Sequence, residues 1–401
     1  MKKIVSLLLT VAMVAASCFA LTSCGSKETQ SDGGKDIKVG FIFLHDENST
    51  YDKNFMDAAT AATEKLGLSK DQVMFKTNIP ETAECYEAAA NLVDAGCDLI
   101  FADSFGHEDF IIQAAKEFPD VTFCHATGTK AHTEGLDNFY NAFASIYEGR
   151  FLVGYAAGLK LNEMIESGKI TADKAKMGYV GAYPYAEVKS GYTSFFLGAR
   201  KACPTVTMDV KFTNSWFDIA AEKETANALI ADGCVLISQH ADSEGAPKAC
   251  EEAGVPNIAY NLDTREWGPN TALISSKINW EPYFEHIITS TQNGTKIEQD
   301  FCKGLKDDVV QTLGLNDKVA AAGTAEKLDE LKKQIISGEI KVFDTATFTV
   351  GGKQLTEYMA DVDTDPAFTP DTQVIEGGCF MESTKRSAPY FDVDIDGITL
   401  K

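Results

Sequence analysis

Short apolar runs that are continuous rather than alternating recur along this chain, with amphipathic stretches of helical period between them. The runs are IKVGFIFL (37–44), DLIFAD (98–103), VTFCHA (121–126), KMGYVGAY (176–183), VLISQH (235–240), NIAYNL (257–262) and TALISSKI (271–278). A strand that is apolar on both faces must be covered on both, which is the situation of a parallel sheet held between two layers of helix. Helices are expected between the runs, over 52–66, 82–95, 107–117, 146–167, 220–232 and 243–253. Repeated βα order of this kind specifies a doubly wound α/β fold.

The chain also says one thing twice. LVDAGCDLIFADS (92–104) and LIADGCVLISQHADS (229–243) each join a helix end, a glycine suited to a left-handed helix stop and a buried strand that finishes at Asp-Ser. Any helix-glycine-strand unit has some of this look. The agreement at Asp103-Ser104 and Asp242-Ser243 points instead to duplication, hence two lobes of similar build. Ligands of open parallel sheets lie beyond the carboxyl ends of the strands, so two facing lobes can share one cleft.

The first residues, MKKIVSLLLTVAMVAASCFALTSC, follow the basic, apolar, small-residue order of an export signal. The apolar part is too short and too rich in Ala and Ser for a membrane span. Leu21-Thr22-Ser23-Cys24-Gly25 resembles the lipobox of bacterial lipoproteins, which implies a signal over 1–23, lipidation at Cys24 and a polar tether over 24–36; the alternative is an ordinary signal in which Cys24 is incidental. Removing the signal takes away two lysines and no acid, making the formal charge of −23 still more negative. So acidic a chain repels nucleic acid and anionic headgroups. Eight cysteines then remain, scattered and without a CxxC pair, which argues against zinc and for buried thiols, with one or two disulfides as the alternative.

Aromatic and acidic side chains gather at the strand ends. Tyr51, Phe55, Phe105 and Trp216 are candidates to sandwich a flat heterocycle, and Asp109, Asp242 and Asp263 to accept from its N–H or hydroxyl donors. Lys277 is a lone cation in an apolar run, with Asp263 its candidate partner. Catalytic constellations are weak: His107-Glu108 opens like a zinc-protease helix but meets Ile111 where the second histidine belongs, and no GxSxG, Walker or GxGxxG signature follows a strand. No metal, cofactor or enzymatic activity is expected.

Asp52-Lys53-Asn54-Phe55, GYVGAYPYAEVKSGYTSFFLGAR (178–200) and SGEIKVF (337–343) resemble the signatures of the basic membrane protein family, substrate-binding lipoproteins of ABC transporters similar to purine nucleoside receptors. The resemblance covers about 37–345. It implies a type I periplasmic-binding fold with lobe 1 over 37–143 and 277–318, lobe 2 over 144–276 and 319–346, crossings near 143, 276 and 318, and an extension over 347–401. It also implies that Phe55 stacks on a base, Asp109 binds the base edge, and Asp263 with Lys277 holds ribose. Ser190 stands where a second stacking aromatic is usual, and Trp216 is the candidate replacement. The expected protein is an outward-facing, membrane-anchored monomer that closes on a purine nucleoside or base and delivers it to an ABC permease. A ligand-sensing lipoprotein that presents its ligand to a membrane signalling partner, and an extracellular purine-processing enzyme, are the alternatives.

Overall fold

The computed structural model describes residues 35–362, 367 and 369–401. Signal, lipobox and tether therefore lie outside the described residues, apart from the last two positions of the tether. The first stretch runs β1 (Val39–Ile42), α1 (Thr50–Lys65), β2 (Val73–Lys76), α2 (Ala83–Asp94), β3 (Leu99–Ala102), α3 (Glu108–Glu117), β4 (Thr122–Ala126), α4 (Ala131–Glu134) and β5 (Phe139–Ala144). The second runs α5 (Ile146–Glu166), β6 (Lys176–Gly181), α6 (Ala186–Ala202), β7 (Thr207–Phe212), α7 (Ile219–Ala231), β8 (Leu236–His240), α8 (Gly245–Ala253), β9 (Asn257–Tyr260) and β10 (Ala272–Ile278). After these come α9 (Glu281–Asn293), β11 (Asp300–Lys303), β12 (Val310–Leu313) and α10 (Thr324–Ile336). Short strands close the chain: β13 (Met359–Ala360), β14 (Thr372–Gln373), β15 (Ile375–Glu376), β16 (Cys379–Phe380) and β17 (Ile398–Leu400).

Beside the two-stranded pairs β13-β14 and β15-β16, two large sheets form, ordered β11-β5-β4-β3-β1-β2 and β12-β10-β9-β8-β6-β7-β17. Stripped of their edges, both read second-first-third-fourth-fifth in chain order, and within those five every pairing is parallel. The echo in the sequence is thus an echo in topology: β3 and β8 hold the same place in their lobes. Gly96 and Gly233, which end the preceding helices, have φ of 87° and 88°, the left-handed stop that glycine takes without strain. In this strand order the topological switch falls between the first and third strands, so loops after β1 and β3, and after β6 and β8, diverge to leave a crevice.

All seven apolar runs hold strands. The chain passes between lobes three times: after β5, after β10, and between β11 and β12. The last differs from the expected crossing near 318. Val310–Leu313 pairs antiparallel with β10, from Ser275↔Leu313 to Ile278↔Val310, so the chain is back in the second lobe by residue 310. Lys277 likewise belongs to β10 and the second lobe. SGEIKVF holds no strand; α10 stops and a turn-rich segment follows.

The described residues of 347–401 pack mainly on the second lobe. β17 extends that sheet in parallel beyond β7, and Phe391 stacks on Phe343 at 4.4 Å. The segment also reaches the first lobe, where the Ser387 N–H and hydroxyl both donate to Asp300 Oδ1, at 3.0 and 2.8 Å. All eight cysteines of the described residues are free thiols, six of them buried. No described helix is long and apolar enough to cross a membrane.

Candidate functional site

The switch-point loops of both lobes meet around one inner cavity with about 360 Å³ of space between its atoms. From the first lobe, the loop after β1 contributes Leu44 and His45, the start of α1 Tyr51 and Asp52, and the loop after β3 Ser104 and Phe105. From the second come Glu187 at the start of α6, Trp216 after β7, His240 at the end of β8 and Asp242 just after it. Thr127, past β4, completes the wall with φ of 67°, a conformation a β-branched residue adopts only when its surroundings enforce it.

Each wall is braced from behind. Ser49 caps α1, and its hydroxyl donates to Asp52 Oδ2 at 2.6 Å, while the His45 N–H donates to Asp52 Oδ1 at 2.8 Å. The Tyr51 hydroxyl donates to the Asp103 carbonyl at 2.8 Å, fixing its ring. Glu81 accepts from the Ser104 hydroxyl (2.6 Å) and the Gly106 N–H (2.7 Å), which holds the turn that presents Phe105. In the second lobe the Asp242 N–H donates to the Trp216 carbonyl at 2.9 Å. Asn261, at φ of 72°, donates through Nδ2 to Asp242 Oδ1 at 3.3 Å.

The lobes are closed on each other. The Thr50 N–H donates to the Asp242 carbonyl at 2.8 Å, the His45 and Phe217 rings lie 5.4 Å apart, and Phe105 meets Tyr185 at 5.4 Å. Tyr185 stacks on Tyr183 at 5.1 Å, and Tyr183 meets Trp216 edge to face at 5.1 Å. An aromatic wall therefore closes one side of the cavity with rings from both lobes. On the other side lies an outer cleft of about 2030 Å³ of open space, and His45 borders both spaces.

The electrostatics are those of a dry, acidic pocket. Burial, with the charges of Glu222, Asp52 and Glu187, pushes the Asp242 carboxyl well above its ordinary value. Asp103, behind Tyr51, is raised by burial and by Asp52. Burial works on Asp52 too, but the bonds from His45 and Ser49 outweigh it and leave that carboxylate lowered. His240 is held toward its neutral form by burial, against the pull of Glu187. A protonated carboxyl presents one donor and one acceptor side by side, a pairing that suits the N–H/N edge of a heterocycle.

Of the residues singled out in the sequence, Tyr51, Phe105, Trp216 and Asp242 are brought together here. Phe55 is not at the cavity: it is fully buried and stacked on Trp280 at 4.4 Å, because its helical face is the one that carries Ala58, Ala59 and Ala62 into the core. Asp109 points outward and pairs with Lys130 on the surface, since Glu108 takes the inward position and accepts from the Thr129 N–H, the Lys130 N–H and Asn141 Nδ2. Asp263 and Lys277 border the outer cleft. They do not pair; the guanidinium of Arg265, two residues on, holds Asp263 through Nε and Nη2 at 2.9 and 2.5 Å and keeps its carboxyl below the usual range. Ser190 is buried and donates to Glu382. His45, Asp52, Glu187 and His240 were not singled out as ligand residues, though all stand at strand ends or first helical turns. Thr127 has no local signal.

Comparison with known proteins agrees with this architecture. The family model described as ABC transporter substrate-binding protein PnrA-like matches residues 41–346. A purine-binding protein of Brucella abortus (strain 2308) is 33% identical over 311 residues, 77% of this chain and 83% of that protein. A Haloferax volcanii protein named "Putative ABC transporter glucose-binding protein TsgA13" is 27% identical over 311 residues, 77% of this chain and 72% of that one. Among solved structures, an ABC transporter solute-binding protein from Aeropyrum pernix K1 superposes with a TM-score of 0.65 at 20% identity, covering 76% of this chain and 93% of the other, and so shares the two-lobed type I periplasmic-binding fold. Fold, switch-point cavity and family match converge: the chain belongs to the PnrA-like family of ABC transporter substrate-binding proteins.

Proposed function

We propose that this protein captures a free purine base in the inner cavity and presents it, lobes closed, to an ABC permease. The observation that carries the reading is the composition of the cavity: rings of Tyr51, Phe105 and Trp216 around a small space, with the buried acids Asp52 and Asp242 and the partly buried Glu187 as its polar edge. Stacking on such rings is worth about 1–3 kcal/mol per base. The cavity is narrow and walled by side chains of both lobes, which suits a flat base without its sugar better than a nucleoside. A nucleoside would have to pass its ribose beyond His45 into the outer cleft, where Asp263 is already engaged by Arg265. The name of the Brucella abortus relative supports the purine class.

Contacts from both lobes are what a ligand needs to favour closure, since it can shift the equilibrium only by binding the closed form better. The rest of the proposal is a monomer tethered to the outer face of its membrane by lipid on Cys24. No step of it involves bond chemistry.

The test is a thermal-shift series on ligand-stripped protein with adenine, guanine, hypoxanthine, adenosine and glucose. Saturating a true ligand at about a hundred times its Kd adds about 2.7 kcal/mol of stability. A shift with a purine base exceeding that with adenosine and glucose is expected. A shift with glucose alone would overturn the purine reading, and chromatographic release of a base from a nucleoside would overturn the absence of catalysis.

A further inference from the structure

Glu222 sits in the first turn of α7, fully buried, and does not itself line the inner cavity. Its two oxygens serve different loops. Oε1 accepts from the Asp218 N–H at 3.2 Å, as a capping carboxylate at a helix start does. Oε2 accepts from the Ser243 N–H at 3.1 Å, in the loop that follows β8, and no capping duty calls for that bond. The first loop carries Trp216 and the second Asp242. On the cavity side these loops are joined by the hydrogen bond from the Asp242 N–H to the Trp216 carbonyl. Glu222 joins them again from behind.

The close approach that permits this depends on Gly245, the first residue of α8. A Cβ there would come within 2.4 Å of the Ile219 carbonyl and 3.1 Å of Glu222 Cβ. Without a side chain, α8 begins against α7 and the Ser243 N–H falls within reach of the carboxylate.

Stability alone does not account for an acid here. Burial pushes Glu222 up to about 7 in spite of the bonds from Ser243 and Asp218. The charged groups around it are acids: Asp218 from its own loop and Asp242 from the loop after β8, with Asp52 of α1 and Glu187 of α6 beyond. The neighbouring Lys223 pairs with Glu252 instead. Burying an acid among acids costs stability that its two hydrogen bonds offset only in part.

We propose that Glu222 is a positioning residue of the ligand site, setting the spacing of Trp216 and Asp242 so that one ring and one carboxyl engage the same bound molecule. The inference rests on the inner cavity being that site. The role is held through two backbone N–H groups, so it depends on the carboxylate's two equivalent acceptors, which an amide lacks.

Glu222→Gln, with Glu222→Asp as a second variant that keeps the charge but shortens the arm, tests this by adenine titration calorimetry, unliganded Tm and amide hydrogen exchange. Both variants should bind adenine at least about tenfold more weakly, as expected when a hydrogen bond to a charged group is lost. The Tm of the Gln variant should stay within a few degrees, and the amides of residues 218 and 243 should exchange faster, with other segments unchanged. Lower Tm with undiminished affinity would make Glu222 a staple of the fold and overturn the proposal; so would unchanged exchange in both loops. If the wild-type protein binds no adenine, the purine reading falls by itself, and exchange at the two loops still decides whether Glu222 ties them together.

Discussion

Replacing Phe55 and Trp216 by alanine, one at a time, separates the core from the pocket. Phe55 has no exposed surface and lies among Trp280 at 4.4 Å, Tyr51 at 4.9 Å and Phe101 at 5.4 Å. Those rings are themselves packed on Phe284 and Tyr283, so the space left by Phe55→Ala has little to collapse into it. Phe→Ala at such a site costs about 3–5 kcal/mol. That is about a fifth or more of the roughly 5–15 kcal/mol that holds a typical protein folded. Trp216 is only half-buried, with its edge on Tyr183, so Trp216→Ala should cost about 1 kcal/mol of stability. The same change removes a stacking face worth about 1–3 kcal/mol, or roughly five- to 150-fold in affinity. Urea unfolding and adenine titration on both variants give four numbers. The account expects Phe55→Ala to lose stability and keep affinity within about fivefold, and Trp216→Ala to do the reverse. Loss of affinity at unchanged stability in Phe55→Ala would return that ring to the ligand and refute the assignment.

Three further predictions bear on closure, the outer cleft and pH. Thr50→Pro removes the N–H that reaches the Asp242 carbonyl across the lobes, at the first position of α1 where proline is well tolerated; it should leave unliganded stability near wild type and weaken adenine about fivefold, read by calorimetry. Asp263→Ala breaks a partly exposed pair with Arg265, so adenine affinity should stay within about twofold and stability within about 1 kcal/mol; a tenfold loss of affinity would put Asp263 at the ligand. Glu382 is buried against Ser190 and pushed up to about 8 by burial, despite the Ser190 bond, so the folded chain keeps a proton that the unfolded chain releases near 4.5. Unfolding therefore releases a proton between those values, and the group's contribution to stability falls as pH rises through that window. Glu382→Gln should flatten the decline of Tm with pH; an unchanged slope would contradict it.

The parts of this protein that could be read from its sequence are those where local pattern and tertiary environment agree. Seven apolar runs had to be strands buried on both faces, and they are. β7 and β12 were not read as strands because they are marginal: TMDVKF carries Asp209 and Lys211 beside an edge covered only by β17, and VQTL is a half-exposed antiparallel edge. At the site, Trp216 and Asp242 were legible as an unusual ring and a strand-end acid. Asp109 lies on the outer face of its helix because a helix turns about 100° per residue, and its neighbour Glu108 is the one turned inward, against Thr129 and Asn141. Asp263 pairs with Arg265 rather than Lys277 because Arg265 is closer in sequence and grips with two nitrogens. Thr127 reaches the cavity only through the path of the folded chain, which no local pattern records.

A crystal structure of the ligand-stripped protein soaked with adenine asks the central question most directly. One planar ligand is expected in the inner cavity, against the Trp216 ring and within hydrogen-bond distance of Asp242, with contacts from the first lobe at Tyr51 or Phe105. Density for the ligand in the outer cleft, against Asp263 and Lys277 with the inner cavity left unchanged, would contradict it.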